Sequence, residues 1–143
     1  MNSRDIKDLH PYLAERWVSA RAEWMVRYPQ DPQPFLTQTY RSFDVQNSLY
    51  DQGRSTPGKI VTKAKGGQSL HNYYPAHAFD MAFKIGDQVY WGKRDFFMFA
   101  EIIKPMGVEW GGDWIGFKDY PHFEVPNFSW RDAEAGREFT MTV

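Results

Sequence analysis

The sequence predicts an α+β domain, a small antiparallel sheet with helices packed on one side. Three observations carry that prediction. Apolar residues recur at helical spacing near the N-terminus, at strand spacing around residue 80, and at helical spacing again before residue 103. Helices and strands that follow one another in this mixed order suit α+β better than a regular βαβ alternation. The chain has 143 residues, enough to bury one core and too few for two, so one catalytic-sized domain spanning 1–143 is expected.

From Asp5 to Arg27, the apolar residues Leu9, Leu13, Trp17, Ala20 and Trp24 mark one face of an amphipathic helix. Ser3 or Asp5 is the expected cap, with Pro11 marking either a kink or a later true start. Tyr28 to Pro34 is a short, stiff, proline-rich connector. A strand is expected over Phe35–Thr39, then a helix over Phe43–Asp51 capped by Ser42 and closed by Gly53. Residues 53–69 read as an exposed loop around a brief Ile60-Val61 strand. Ala78–Phe83 and Gln88–Trp91 flank Gly86-Asp87 as a hairpin. Phe96 to Ile103 is a strongly apolar helix stopped by Pro105 and Gly107. Val108–Trp110 and His122–Val125 complete the sheet. The core is expected over about 6–125, with 126–143 a peripheral tail that Trp130 and Phe139 dock.

Composition excludes several functions. There is no cysteine, so disulfides, thiol catalysis and thiolate-bound zinc are ruled out, and any metal must be held by nitrogen and oxygen. Seventeen basic against eighteen acidic residues give a net charge of -1, which implies no nucleic-acid partner. No run approaches the roughly 20 apolar residues of a membrane span, so no membrane insertion is expected. The first eight residues are polar and unlike a secretory signal, which predicts synthesis in a cytoplasm without a signal peptide.

The candidate chemistry lies where polar residues interrupt apolar patterns. In Ala78-Phe79-Asp80-Met81-Ala82-Phe83, alternation sends the phenylalanines and Met81 to one face and Asp80 to the other, between two alanines that leave room for a ligand. In His122-Phe123-Glu124-Val125, His122 and Glu124 share the face opposite the core, and Glu124 either orients that histidine or meets solvent. Asp119 stands three residues before His122, on a turn set by Pro121. His71 lies on a loop and would be about 30 Å from Asp80 on a continuous strand. Asn72 and Pro75 predict a fold-back that brings the two together. Two imidazoles and one carboxylate make a three-ligand catalytic zinc site with one position left for water, and a further carboxylate, Asp119, is placed to act as base. His10 and His77 are expected to be structural, with His77 on the rim. Trp110 and Trp114, separated by Gly111-Gly112, are expected to wall the cleft.

Two segments, Ser69-Leu70-His71-Asn72-Tyr73…Ala78-Phe79-Asp80 and Trp110-Gly111-Gly112-Asp113-Trp114…Asp119-Tyr120-Pro121-His122-Phe123, resemble the VanY-like zinc peptidases. The similarity is greatest to their L-alanyl-D-glutamate endopeptidase branch, found as phage endolysins and wall-remodelling enzymes. Tyr40-Arg41-Ser42…Gln46-Asn47-Ser48-Leu49-Tyr50 and Leu9-His10-Pro11-Tyr12-Leu13 are similar to earlier blocks of that family. The resemblance implies a VanY/Hedgehog-like fold with one Zn2+ held by His71, Asp80 and His122 on the sheet's open face. Asp119 would be the base, Arg41 the residue that holds or polarises substrate, and Ser69 a supporting hydrogen-bonder beside the substrate. One feature departs from the pattern: eight residues separate His71 from Asp80 where the common form has six, and Tyr74-Pro75-Ala76-His77 stands where that form has glycine.

The function implied is a zinc-dependent, bacteriolytic peptidoglycan peptidase that cuts the peptide stem, most simply at L-alanyl-D-glutamate, as a monomer acting on the wall after release. The alternatives are a D-alanyl-D-alanine carboxypeptidase and a non-catalytic zinc-containing wall-binding module.

Overall fold

The computed structural model describes residues 1–140. Five strands form one sheet in the order β1 (Gln33–Gln38), β2 (Ala78–Ile85), β5 (His122–Glu124), β4 (Glu109–Trp110), with β3 (Gln88–Tyr90) also paired to β2. All pairings are antiparallel. Strand β2 is the spine. It pairs along one side with β1, and along the other with β5 through its first half and β3 through its second.

Helix α1 (Pro11–Arg27) starts later than the apolar pattern does. The His10 side chain accepts from the Tyr12 N–H as its cap, and Pro11 occupies the first turn, where no N–H is needed. Asp5 instead caps a short 3-10 turn over Ile6–Asp8. Helix α2 (Phe43–Asp51) begins at Ser42 as expected, and α3 (Lys93–Ile103) leads into a 3-10 turn that Gly107 ends at φ 90°.

The core lies between α1, α3 and one face of the sheet. Phe79, Met81 and Phe83 alternate inward from β2 and Phe123 from β5. Trp17 packs edge-on to Phe79, Trp24 on Phe83, and Phe99 edge-on to Phe123. The two helices thus seal one face and leave the other open, with Asp80 and His122 opposite each other on it.

The structure corrects the sequence reading in the loop after α2 and adds to it in the C-terminal segment. Ile60-Val61 forms no strand, because side chains of α2 and of Gln52 just past its end take up the backbone of this loop. Gln46 donates to the Ala64 carbonyl, Gln52 to the Lys59 carbonyl, and Asn47 accepts from the Gly66 N–H. Residues 126–140 form more than a peripheral tail. They contain α4 (Trp130–Glu134), capped reciprocally by Ser129 and Asp132, while Phe128 and Phe139 pack on the core around His77, His10 and Tyr12. Residues 141–143 of the expected tail lie outside the described residues. No helix among the described residues is long and apolar enough to cross a membrane.

Candidate metal centre

The fold-back expected between His71 and Asp80 is present. Ser69 caps a 3-10 turn over Leu70–Asn72, its hydroxyl accepting from the His71 N–H, and Asn72 answers by accepting from the Ser69 N–H. This turn carries His71 over the open sheet face, where Nε2 lies 3.2 Å from Asp80 Oδ1. His122 reaches the same oxygen from β5, with Nδ1 also at 3.2 Å. The three donor atoms lie within 4.8 Å of one another.

This donor set suits a zinc ion. Ligand atoms at zinc's usual distance of about 2.1 Å stand roughly 3.4 Å apart on a tetrahedron, close to the 3.2 Å separations here. Each imidazole is also oriented from behind. His71 Nδ1 is 2.7 Å from the Thr39 carbonyl, which can only accept, so Nδ1 donates there and the ring turns Nε2 toward the centre. His122 Nε2 donates to Glu124 at 2.7 Å, turning Nδ1 toward the centre. Of the two roles open to Glu124, it takes that of orienting His122.

The charges are closely coupled. Burial alone would raise the Asp80 carboxyl, but His71 and His122 hold it well below the usual carboxylate range. Burial opposes charge on His122 as well, yet Asp80 and Glu124 push it up to about 10. Asp119 behaves oppositely. Burial raises it, and the nearby Asp80 charge adds to that, against the pull of His122, His71 and Arg41. A carboxyl so placed is suited to accept and return a proton.

A cleft of about 710 Å³ holds the triad together with Arg41, Ser69, Trp114 and Asp119. Trp114 lies against the His122 ring, centroids 4.9 Å apart. Trp110 does not wall this cleft. Its register opposite Phe123 turns it into the core, where it is 3% exposed and donates its indole N–H to the Tyr120 carbonyl. The adjacent glycines allow close packing rather than opening space. A Cβ on Gly111 would stand 2.3 Å from the Asp119 carbonyl oxygen and 3.1 Å from His122 Cβ.

Arg41 is tied to the centre directly, with Nη2 3.4 Å from Asp80 Oδ2. That contact occupies the carboxylate oxygen turned away from the imidazoles. The other side of Arg41 is held by residues to which the sequence reading gave no role: Nε donates to Gln38 and Nη1 to Gln46. Gln46 is fully buried and also accepts from Asn72, linking α2 to the turn that carries His71. A glutamine on the same helical face as Leu49 was the available signal. Ser129 and Trp130, from the segment expected to be peripheral, line the cleft as well. His77 lies outside the centre, stacked on Phe128 and beside His10.

Comparison with known proteins gives consistent neighbours. A peptidase M15 family model described as D-alanyl-D-alanine carboxypeptidase matches residues 62–125. The peptidoglycan L-alanyl-D-glutamate endopeptidase CwlK of Bacillus subtilis is 41% identical over 130 residues, covering 84% of this chain and 75% of that protein. The L-alanyl-D-glutamate peptidase of Listeria phage A118 is 31% identical over 81 residues, 53% of this chain and 29% of the phage protein. The crystal structure of the L-Ala D-Glu endopeptidase ChiX of Serratia marcescens superposes with a TM-score of 0.61 at 22% identity, over 93% of this chain and 92% of that one. This last likeness is one of fold.

Proposed function

The chain belongs to the VanY-like peptidases, in the L-alanyl-D-glutamate endopeptidase branch, and on that premise we propose how its cleft hydrolyses the peptide stem of peptidoglycan. The observation that carries the reading is the convergence of His71, Asp80 and His122 in one cleft with a half-buried, raised-pKa carboxyl, Asp119. His71, Asp80 and His122 are the residues that would hold one zinc ion. When bound, zinc supplies a Lewis acid for the scissile carbonyl and acidifies a water.

The chain's own residues do the rest. Asp119 takes the proton of the attacking water and returns it to the departing amine, which completes the hydrolysis without a covalent enzyme intermediate. Arg41, held by Gln38, Gln46 and Asp80, presents a fixed positive charge to the developing oxyanion or to a substrate carboxylate. Thr39 and Glu124 keep the two imidazoles in their required orientation. Ser69 holds the turn that carries His71, and Trp114 covers one side of His122 and excludes water there. The enzyme acts as a monomer on the cell wall.

Digestion of purified muropeptides with and without a chelator, followed by mass spectrometry, tests the reading. The expected result is chelator-sensitive release of new L-alanine carboxyl ends. Release of D-alanine instead would establish the carboxypeptidase alternative, and turnover that is indifferent to chelator would overturn the metal assignment.

A further inference from the structure

We propose that the C-terminal segment builds the acyl-side subsite of the cleft, with Trp130 stacking on the N-acetylated amino sugar that carries the stem. This inference rests on the endopeptidase reading and extends it from the bond cut to the substrate recognised beyond it.

The polarity of the cleft follows from proton transfer. The proton taken by Asp119 must reach the amine that leaves, so the amine half of the substrate lies on the Asp119 side. Asp119 precedes His122 in the chain and packs against Gly111 where β4 ends, at the beginning of β5. The acyl half therefore runs the other way, along β5 toward Glu124. At that end the chain passes through Val125, whose N–H donates to the His77 carbonyl, and reaches Ser129 and Trp130 on the cleft lining.

The acyl half of an L-alanyl-D-glutamate bond is short. It is one alanine, joined through its amine to the lactyl ether of an N-acetylated amino sugar. From scissile carbonyl to sugar ring is about two residue lengths of chain, roughly 7 Å when extended. The step from His122 to Glu124 along β5 is also about 7 Å. A sugar ring is thus delivered to the stretch of cleft that begins where Glu124 ends.

Trp130 has the form of a stacking platform. It is half-buried and opens the first turn of α4, which the Ser129–Asp132 capping box anchors. The Arg131 guanidinium lies 4.5 Å from its ring centroid, backing the indole with a cation. An indole face held in this way offers apolar contact to the C–H face of a saccharide.

The test compares two soluble substrates that share one stem peptide. In one, the L-alanine amine carries an N-acetylmuramoyl group; in the other it carries acetyl. The wild type should favour the sugar-bearing substrate by about tenfold in kcat/KM. Trp130→Ala should bring that ratio close to one, and Trp130→Phe should retain part of it. Each ratio is taken within one protein sample, so any loss of folded enzyme cancels. A wild-type ratio of one overturns the proposal, as does a ratio that Trp130→Ala leaves intact. If the wild type cleaves neither substrate, the endopeptidase reading itself falls.

Discussion

Two pairs of histidine rings sit at nearly the same separation and do different things. His71 and His122 have ring centroids 5.1 Å apart, His10 and His77 5.0 Å. The first pair converges on Asp80, with Glu124 behind one ring and a backbone carbonyl behind the other. The second pair packs against aromatic rings, Phe139 against both and Phe128 against His77. His122 is accordingly pushed up to about 10, whereas burial pushes His10 and His77 below the ordinary histidine value. Proximity of imidazoles therefore does not define a metal site. What defines it is a carboxylate between the rings and an acceptor behind each.

The sharpest way to probe the contrast is to remove the proposed base beside the first pair while leaving the residues that would hold a metal untouched. Asp119→Ala should lower kcat by about 10²–10⁴-fold with zinc content unchanged, measured by muropeptide turnover beside elemental analysis. If the variant still turned over at the wild-type rate, Asp119 would not be the base.

A second effect follows from the His122 proton. In the metal-free protein this histidine is charged at neutral pH, so a metal must displace that proton. Metal affinity should then rise by roughly tenfold per unit between about pH 6 and 8, with proton release visible in calorimetry run in two buffers of different ionisation enthalpy. A flat profile would mean that the carboxylates do not control His122.

Glu124 offers a smaller effect. Glu124→Ala should weaken zinc by about 10–100-fold, and Glu124→Gln should restore much of the loss because the amide oxygen still accepts from Nε2–H. Equal loss in both variants would point to charge rather than orientation.

The smallest effect belongs to the second pair. Both of its histidines titrate below 6.5 in the folded state, so the unfolded chain binds more protons as the pH falls. Their contribution to stability is present above that value and is lost as the pH falls below it toward their lowered folded-state values. A Tm decrease of a few degrees between pH 7 and 5 is expected, and it should flatten in a variant carrying His10→Asn, which keeps the helix cap, together with His77→Phe. Persistence of the full decrease would place the acid sensitivity elsewhere.

The grouping of His71, Asp80 and His122 was legible in the sequence because two of the three sit on regular patterns. Asp80 and His122 interrupt alternating strands, and alternation alone puts them on one face. The turn at His71 announced itself through Asn72 and Pro75. The supports were less accessible, since they depend on contacts between distant parts of the chain. The Thr39 carbonyl behind His71 comes from backbone 32 residues away, and Gln46 binds Arg41 and Ala64 from a separate helix. Trp110 was misplaced because glycines beside a tryptophan suggest space, whereas here they permit contact. Residues 126–140 read as a peripheral tail because their apolar residues are few and irregular; the docking expected of Phe139 is present, and Phe128 joins it.

The absent side chain of Gly111 has a consequence for anyone surveying this enzyme by random mutation. The backbone that presents Asp119 rests against that position with less than a methyl group of clearance. Gly111→Ala would be recovered among inactive clones beside changes to Asp119 itself, although residue 111 has no group that exchanges a proton or binds a metal. A map of intolerant positions would therefore outline the catalytic apparatus together with the mould in which it is cast.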